Sequence, residues 1–377
     1  MNLPEEAEIG RPLSKERVSG FDGLRGAAVL AVLLHHLSDY CPVNSFLAVR
    51  LKTLLYAGWC GVDLFFVLSG FLITGILLDA PKTKNYFRSF YARRALRILP
   101  VYYATLITVL LAARFTPVLD AVLPASRDRL FYFVFLNNWW VLMQGSWHAN
   151  VIGHFWSLAV EEQFYLLWPL IPWLFSRKNV TLMAACGVVL APMIRVAVFA
   201  HWGPVRDIVE NPFCRMDSLL MGAVLAGIVR CPKEIKRWMP LLYCSALAAA
   251  GMIVAAYFSE LPALRLAASE LFIFSLLASL FGGLVLYVFM NRNSLTKAQC
   301  IVRLPALRFC GKYSYGMYVY HVPLLWLLAR YATGSQPLQS LPVFLVFSCA
   351  VMAVTVAVAK LSFDCFERRF LNLRPRT

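Results

Sequence analysis

Residues 21–40 read FDGLRGAAVLAVLLHHLSDY. Arg25 opens this apolar run, and His35 and His36 lie deep inside it. Ten residues separate Arg25 from His36. At about 100° per residue, eleven steps make roughly 1100°, three turns plus about 20°. The two side chains therefore share a helix face, with His36 about 16 Å further along the axis. His35 points about 100° away. If this helix spans a bilayer from the cytoplasmic side, Arg25 sits at the inner surface and His36 near the midplane. An ionisable group at that depth marks a functional site.

The rest of the chain supports a membrane reading. Of 377 residues, 60% are hydrophobic, and the mean hydropathy is +0.65. A soluble domain is about half apolar. Runs of about twenty apolar residues recur, each long enough to cross ~30 Å of hydrocarbon. The fold class expected is all-α, a polytopic transmembrane helical bundle. Ten spans are read at 24–40, 56–79, 98–116, 155–175, 180–200, 212–229, 239–258, 266–290, 310–330 and 340–360. Residues 1–20 are polar, lack the apolar core of a cleavable signal and read as a cytoplasmic tail. Residues 21–370 form the membrane domain, and 371–377 a second cytoplasmic tail. No internal repeat is visible.

The net charge is +16. Membrane proteins gather Lys and Arg in cytoplasmic loops, and no basic stretch is interleaved with stacking aromatics, so nucleic acid is not an expected partner. With both termini inside, the cytoplasmic loops hold 26 of the 36 Lys and Arg. Counting 130–143 as a further span would reverse every later loop. Residues 130–150 are therefore read as re-entrant or interfacial, with Asn137, Asn138, Trp139 and Trp140 at the membrane–water boundary. The ten Cys are scattered singly, and neither a metal site nor a disulfide framework follows.

Several ionisable residues fall inside spans. Asp63, Glu161 and Glu162 lie about 10 Å below the outer surface at ~1.5 Å per residue. Arg215 and Asp217 occupy the outer third of their span, where they can form a mutual ion pair. His321 lies midway along the ninth. Isolated charges in lipid cost about 3 kcal/mol or more each, so their common depth argues for a shared polar cavity. Glu161 and Glu162 are adjacent and face different directions. His35 reads as packing, and His148, His154 and His201 as solvent-facing or interfacial. On the cytoplasmic side, residues 81–100, PKTKNYFRSFYARRALRILP, carry Arg93, Arg94 and Arg97 and no acidic residue. Arg94 and Arg97 are helical neighbours, and guanidinium suits bidentate phosphate contacts.

Taken together, seven motifs resemble the acyltransferase 3 family of integral membrane O-acyltransferases. They are FDGLRG with Arg25-x10-His36, GVDLFFVLSGFLIT, YARRALRILP, HFWSLAVEEQFYLLWP, RMDSLLMG, GKYSYGMYVYH and FERRF. The resemblance runs from about Gly20 to Phe370. It implies transfer of an acyl group, usually acetyl, from cytoplasmic acyl-CoA to a hydroxyl, typically of an envelope glycan. It also implies that His36 is catalytic, that Arg25 is essential and that the Arg94-x-x-Arg97 pair faces CoA. Family members commonly carry an aromatic at the position of His35. Some append an extracytoplasmic esterase-like domain, which is not read in these residues.

The expectation is thus an inner-membrane O-acyltransferase. CoA phosphates dock on Arg94, Arg97 and Arg93, and the pantetheine arm passes the small pair Ser69 and Gly70. His36 acts as general base or takes the acyl group transiently. Asp63, Glu161 or Glu162 orients it, and Arg215, Asp217 and His321 line the acceptor site. The acceptor is a glycan or lipid-linked sugar, acyl-CoA is the co-substrate, and no metal is required. A transporter or flippase of an envelope precursor also suits polar groups near the midplane, but it calls for inverted repeats. A sensor that binds acyl-CoA without turnover is a third reading.

Overall fold

In hydrocarbon a chain segment must satisfy its own backbone polar groups, and a helix does so within one segment. In the computed structural model, which describes residues 18–144, 150–202, 210–258, 271–294, 296–334 and 338–374, every regular element is helical. The principal helices are α1 (Ser19–Leu37), α2 (Phe46–Tyr56), α3 (Gly61–Asp79), α4 (Tyr86–Phe115), α5 (Asn137–Gln144) and α6 (Trp156–Leu167). They continue with α7 (Arg177–Trp202), α8 (Pro212–Ile228), α9 (Pro232–Phe258), α10 (Ile273–Met290), α11 (Pro305–Thr333) and α12 (Leu341–Ser362).

Among the described residues six stretches are long and apolar enough to cross a membrane. They are Phe46–Asp79, Tyr86–Phe115, Arg177–His201, Pro232–Ala255, Ile273–Met290 and Leu341–Leu371. The protein is therefore a multi-pass membrane protein. The expected spans at 24–40, 155–175, 212–229 and 310–330 are helical too, as α1, α6, α8 and α11. They fall outside the six because they are shorter or carry the polar residues. α1 packs on α3 and α11, and α8 packs on α3, α7 and α10. α12 covers α11, and α9 covers α10. The outer helices α7, α9 and α12 expose Val189, Met193, Leu247 and Val346. The interior thus combines the polar-bearing helices α1, α8 and α11 with the apolar α3 and α10, and the outer helices turn apolar side chains outward.

Two glycines set the crossing of α3 and α8. A Cβ on Gly70 would collide with the carbonyl oxygen of Leu219, and one on Gly222 with that of Val67. The two backbones touch there, the small-residue packing typical of membrane helices. Gly70 therefore faces α8 and not a passage for pantetheine.

Residues 130–150 do not cross the membrane as one helix. Leu130–Phe133 and α5 are separated by a turn at Phe135, whose φ is 54°. The eight residues of α5 span about 12 Å, well short of ~30 Å. Residues 145–149, with His148, lie outside the described residues. Within the Asn–Trp cluster, Asn137, Asn138 and Trp140 are buried in the protein. Gln163 of α6 ties the start of α5 inward, its Nε2 donating to the Phe135 carbonyl at 2.8 Å and to Asn138 Oδ1 at 2.9 Å. Those bonds hold a non-glycine residue in a left-handed conformation that costs about 1–3 kcal/mol.

Candidate active site: two adjoining cavities

A cavity of about 690 Å³ is lined by His35, His36, Asn150, His154, Arg215 and Trp326, among others. α1 delivers His36 and α11 delivers His321, because those two helices pack along their length. The ring centroids of His36 and His321 are 4.8 Å apart, with planes at 74°. His321 Nδ1 lies 2.5 Å from the Tyr318 carbonyl oxygen, and His36 Nδ1 lies 3.0 Å from that of Val32. A carbonyl only accepts, so both Nδ1 atoms carry the proton. His321 Nε2, 3.3 Å from His36 Nδ1, is then an acceptor. His36 Nε2 is left as an unshared lone pair on a ring that lines the cavity.

His154 was expected at a solvent-facing or interfacial position but is only 4% exposed. The cause is Pro323, inside α11. Proline has no N–H to give to the carbonyl four residues earlier, that of Val319. His154 Nε2 donates to that freed oxygen at 3.2 Å. His35 donates from Nδ1 to the Tyr56 carbonyl at 2.8 Å and also lines the cavity. His201 is exposed near the end of α7.

A smaller cavity of about 90 Å³ lies beside the first, lined by Arg25, Ser69, Arg94, Arg97, Glu161 and Tyr165, among others. Arg25 lies 3.8 Å from Asp22. Ser69 and Tyr165 both donate to Glu161 Oε1, and the Arg94 guanidinium sits 5.4 Å from the Tyr165 ring centroid. Arg94 and Arg97 therefore share a face as their spacing predicts. Arg93 does not line this cavity and donates to Ser89 Oγ. Glu162 lines neither cavity. The C-terminal segment adds a cation not singled out from the sequence. Burial, and then the repulsion of Arg97, Arg94 and Arg93, lowers the Arg374 guanidinium to about 10.

The expected pair between Arg215 and Asp217 does not form. Residues two apart on a helix point about 200° away from each other. Arg215 Nη2 instead meets Asp63 at 3.2 Å, and Asp217 accepts from Arg195 Nη2 at 2.9 Å. All four side chains are at most 1% exposed. Ser218 donates to the other oxygen of Asp63 at 2.9 Å. Asp63 thus holds α3 to α8 and does not orient His36. Neither Glu161 nor Glu162 bonds His36, and the group that does is His321, which lines neither cavity.

Val62 and Tyr318 line both cavities. Arg25 and His36 thus face two chambers that share these two residues as a common wall. The Tyr318 and Ser157 hydroxyls are hydrogen-bonded to each other, and both reach the His154 carbonyl oxygen, at 3.1 and 3.2 Å. Among the described residues no group of three or more His, Cys, Asp and Glu side chains is placed to hold a metal ion, and the ten cysteines are free.

Residues 18–360 match the family model described as "Acyltransferase domain". Curated relatives include the "Putative peptidoglycan O-acetyltransferase YrhL" of Bacillus subtilis, 29% identical over 93% of this chain and 54% of that protein. The "Peptidoglycan O-acetyltransferase OatA" of Listeria monocytogenes is 28% identical over 94% of this chain and 56% of its own length. The "O-acetyltransferase OatA" of Staphylococcus aureus is 26% identical, covering 97% and 59% respectively. The chain thus spans a little over half the length of these relatives. No solved structure matches it.

Proposed function

This chain belongs to the acyltransferase-domain family, and on that premise we propose that it is a membrane O-acetyltransferase using cytoplasmic acetyl-CoA. The acceptor is a hydroxyl of an envelope glycan or a lipid-linked precursor of one, in keeping with relatives named for peptidoglycan. The chain lies in the cell inner membrane with both termini cytoplasmic. One observation carries the reading: a cavity lined by Arg25, Arg94 and Arg97 adjoins a cavity lined by His36, with Val62 and Tyr318 between.

The arginine cavity suits the phosphates of CoA. Three guanidiniums offer fixed, forked donors to an anion, and Arg374 adds charge nearby. The thioester then points past Ser69 toward Tyr318. His36 Nε2 takes the proton of the acceptor hydroxyl as its oxygen attacks the thioester carbonyl carbon. The carbon–sulfur bond breaks, and the CoA sulfur leaves as thiolate and takes the proton back from His36. Imidazole is the side chain best suited to gain and lose a proton near neutrality. Within its membrane, the buried network of Asp63, Arg215, Arg195 and Asp217 serves as scaffold for the two cavities.

The test is acetyl transfer by full-length protein in lipid nanodiscs, with labelled acetyl-CoA and unacetylated peptidoglycan strands. Wild-type protein should release CoA and label the glycan. His36→Ala should still bind CoA and transfer nothing. Full activity in that variant would remove this mechanism. A transporter or a non-catalytic sensor would release no CoA.

A further inference from the structure

We propose that His321 is a positioning residue for this reaction: its Nε2 lone pair holds the Nδ1–H of His36 and takes a share of the charge when His36 Nε2 accepts a proton. The inference rests on the reading of His36 as general base.

Three features of His321 lead there. It is 1% exposed and lines neither cavity, so it is not placed to touch a substrate. Its Nδ1–H is committed to the Tyr318 carbonyl at 2.5 Å, which makes Nε2 its only free ring atom. That atom lies 3.3 Å from His36 Nδ1. The two rings stand at 74° to each other, with centroids 4.8 Å apart. His154 packs on His321 at 4.8 Å between centroids, with planes at 70°. Since His154 is anchored to the carbonyl that Pro323 frees, it restricts rotation of the His321 ring.

The chemistry follows from the proton inventory. The Val32 carbonyl already selects the Nδ1–H tautomer of His36. A second acceptor on the same hydrogen fixes the ring plane, so Nε2 keeps one direction. When Nε2 takes the acceptor's proton, the Nδ1–H bond to His321 becomes charge-assisted, and such bonds are about twice as strong as neutral ones. His321 therefore contributes more after proton transfer than before it, the condition for raising kcat.

The experiment compares His321→Leu with His321→Gln in the nanodisc assay, with kcat and the KM for acetyl-CoA measured separately. Leucine removes the acceptor, and glutamine returns a carbonyl oxygen near the position of Nε2. We expect His321→Leu to lose about 30- to 100-fold in kcat with KM within about twofold, no more than the lower bound of about 100-fold that direct acid–base assistance contributes, as suits a residue acting through another. His321→Gln should recover most of that loss. Wild-type kcat in His321→Leu, or equal losses in both variants, overturns the proposal. Should the leucine variant fail to fold, nitrogen-15 solid-state NMR of the wild-type protein decides. Both rings must be neutral and protonated at Nδ1, with a coupling between His36 Nδ1 and His321 Nε2; an Nε2-protonated His321 overturns it. An active His36→Ala variant would sink the parent reading, whereas an inactive one beside a fully active His321→Leu would sink only this inference.

Discussion

The phenol of Tyr318 is hydrogen-bonded to the hydroxyl of Ser157, and it stands where the arginine-lined and histidine-lined cavities meet. Tyr318 comes from α11, its partner Ser157 from α6 and Val62 from α3, so three helices meet where the chambers adjoin. In this arrangement the two cavities adjoin at Val62 and Tyr318. A thioester reaching from the first chamber toward His36 must pass this pair.

Loosening the wall should therefore uncouple donor use from transfer. Ser157→Ala removes the hydroxyl bonded to Tyr318 and leaves the His36–His321 bond untouched. The ratio of CoA released without acceptor to CoA released with it should rise several-fold. Measuring both in nanodiscs tests the point, and an unchanged ratio would show that the pair does not separate the chambers.

The arginines should divide by their contacts. Arg94→Ala and Arg97→Ala each remove a guanidinium from the smaller cavity. A hydrogen bond to a charged group is worth about 1.5–3 kcal/mol, so the KM for acetyl-CoA should rise at least about tenfold. Arg93→Ala should change it by less than about threefold, since its guanidinium bonds Ser89. Equal effects at all three positions would indicate a diffuse charge requirement and no docking geometry.

Asp63 and Asp217 should be needed for folding before chemistry. Replacing either by alanine leaves Arg215 or Arg195 charged and buried. Breaking a buried pair from one side costs about 3–5 kcal/mol. Thermal unfolding in detergent should show a marked fall in midpoint for each single variant. The double variant Asp63→Leu with Arg215→Met removes both charges and should recover much of the loss. A single variant with wild-type thermal stability would refute the scaffold role.

Gly222→Leu should separate α3 from α8. Its side chain would run into the Val67 carbonyl and the main chain of Gly70 and Phe71. Overpacking costs about 1–3 kcal/mol in a soluble core, and contact with backbone places this site at or above that range. Gly251→Leu, on α9, meets nothing within 4 Å and should be silent. Size-exclusion profiles of the two variants after purification make the comparison.

Much of the architecture was legible in residue order. Long apolar runs locate helices without knowledge of their neighbours, and the spacing from Arg94 to Arg97 makes them helical neighbours, which line the same cavity. The position of His154 was not legible. Its burial depends on a carbonyl freed by Pro323, more than 160 residues away in sequence. Arg195 shows the same limit: it sits in an apolar run, and nothing local identifies Asp217 as its partner. Arg374 was visible only as one more cytoplasmic charge.

By itself the sequence determined that this is a helical membrane protein, with Arg25 and His36 on one side of its first long helix. Period, length and polarity are local properties, and hydrocarbon leaves a chain little choice about its backbone bonds. Only the tertiary structure decided that Asp63 meets Arg215, that Arg195 meets Asp217 and that His321 meets His36. Those pairings depend on the rotation and depth of each helix against its neighbours, and side-chain fit at the crossings sets both.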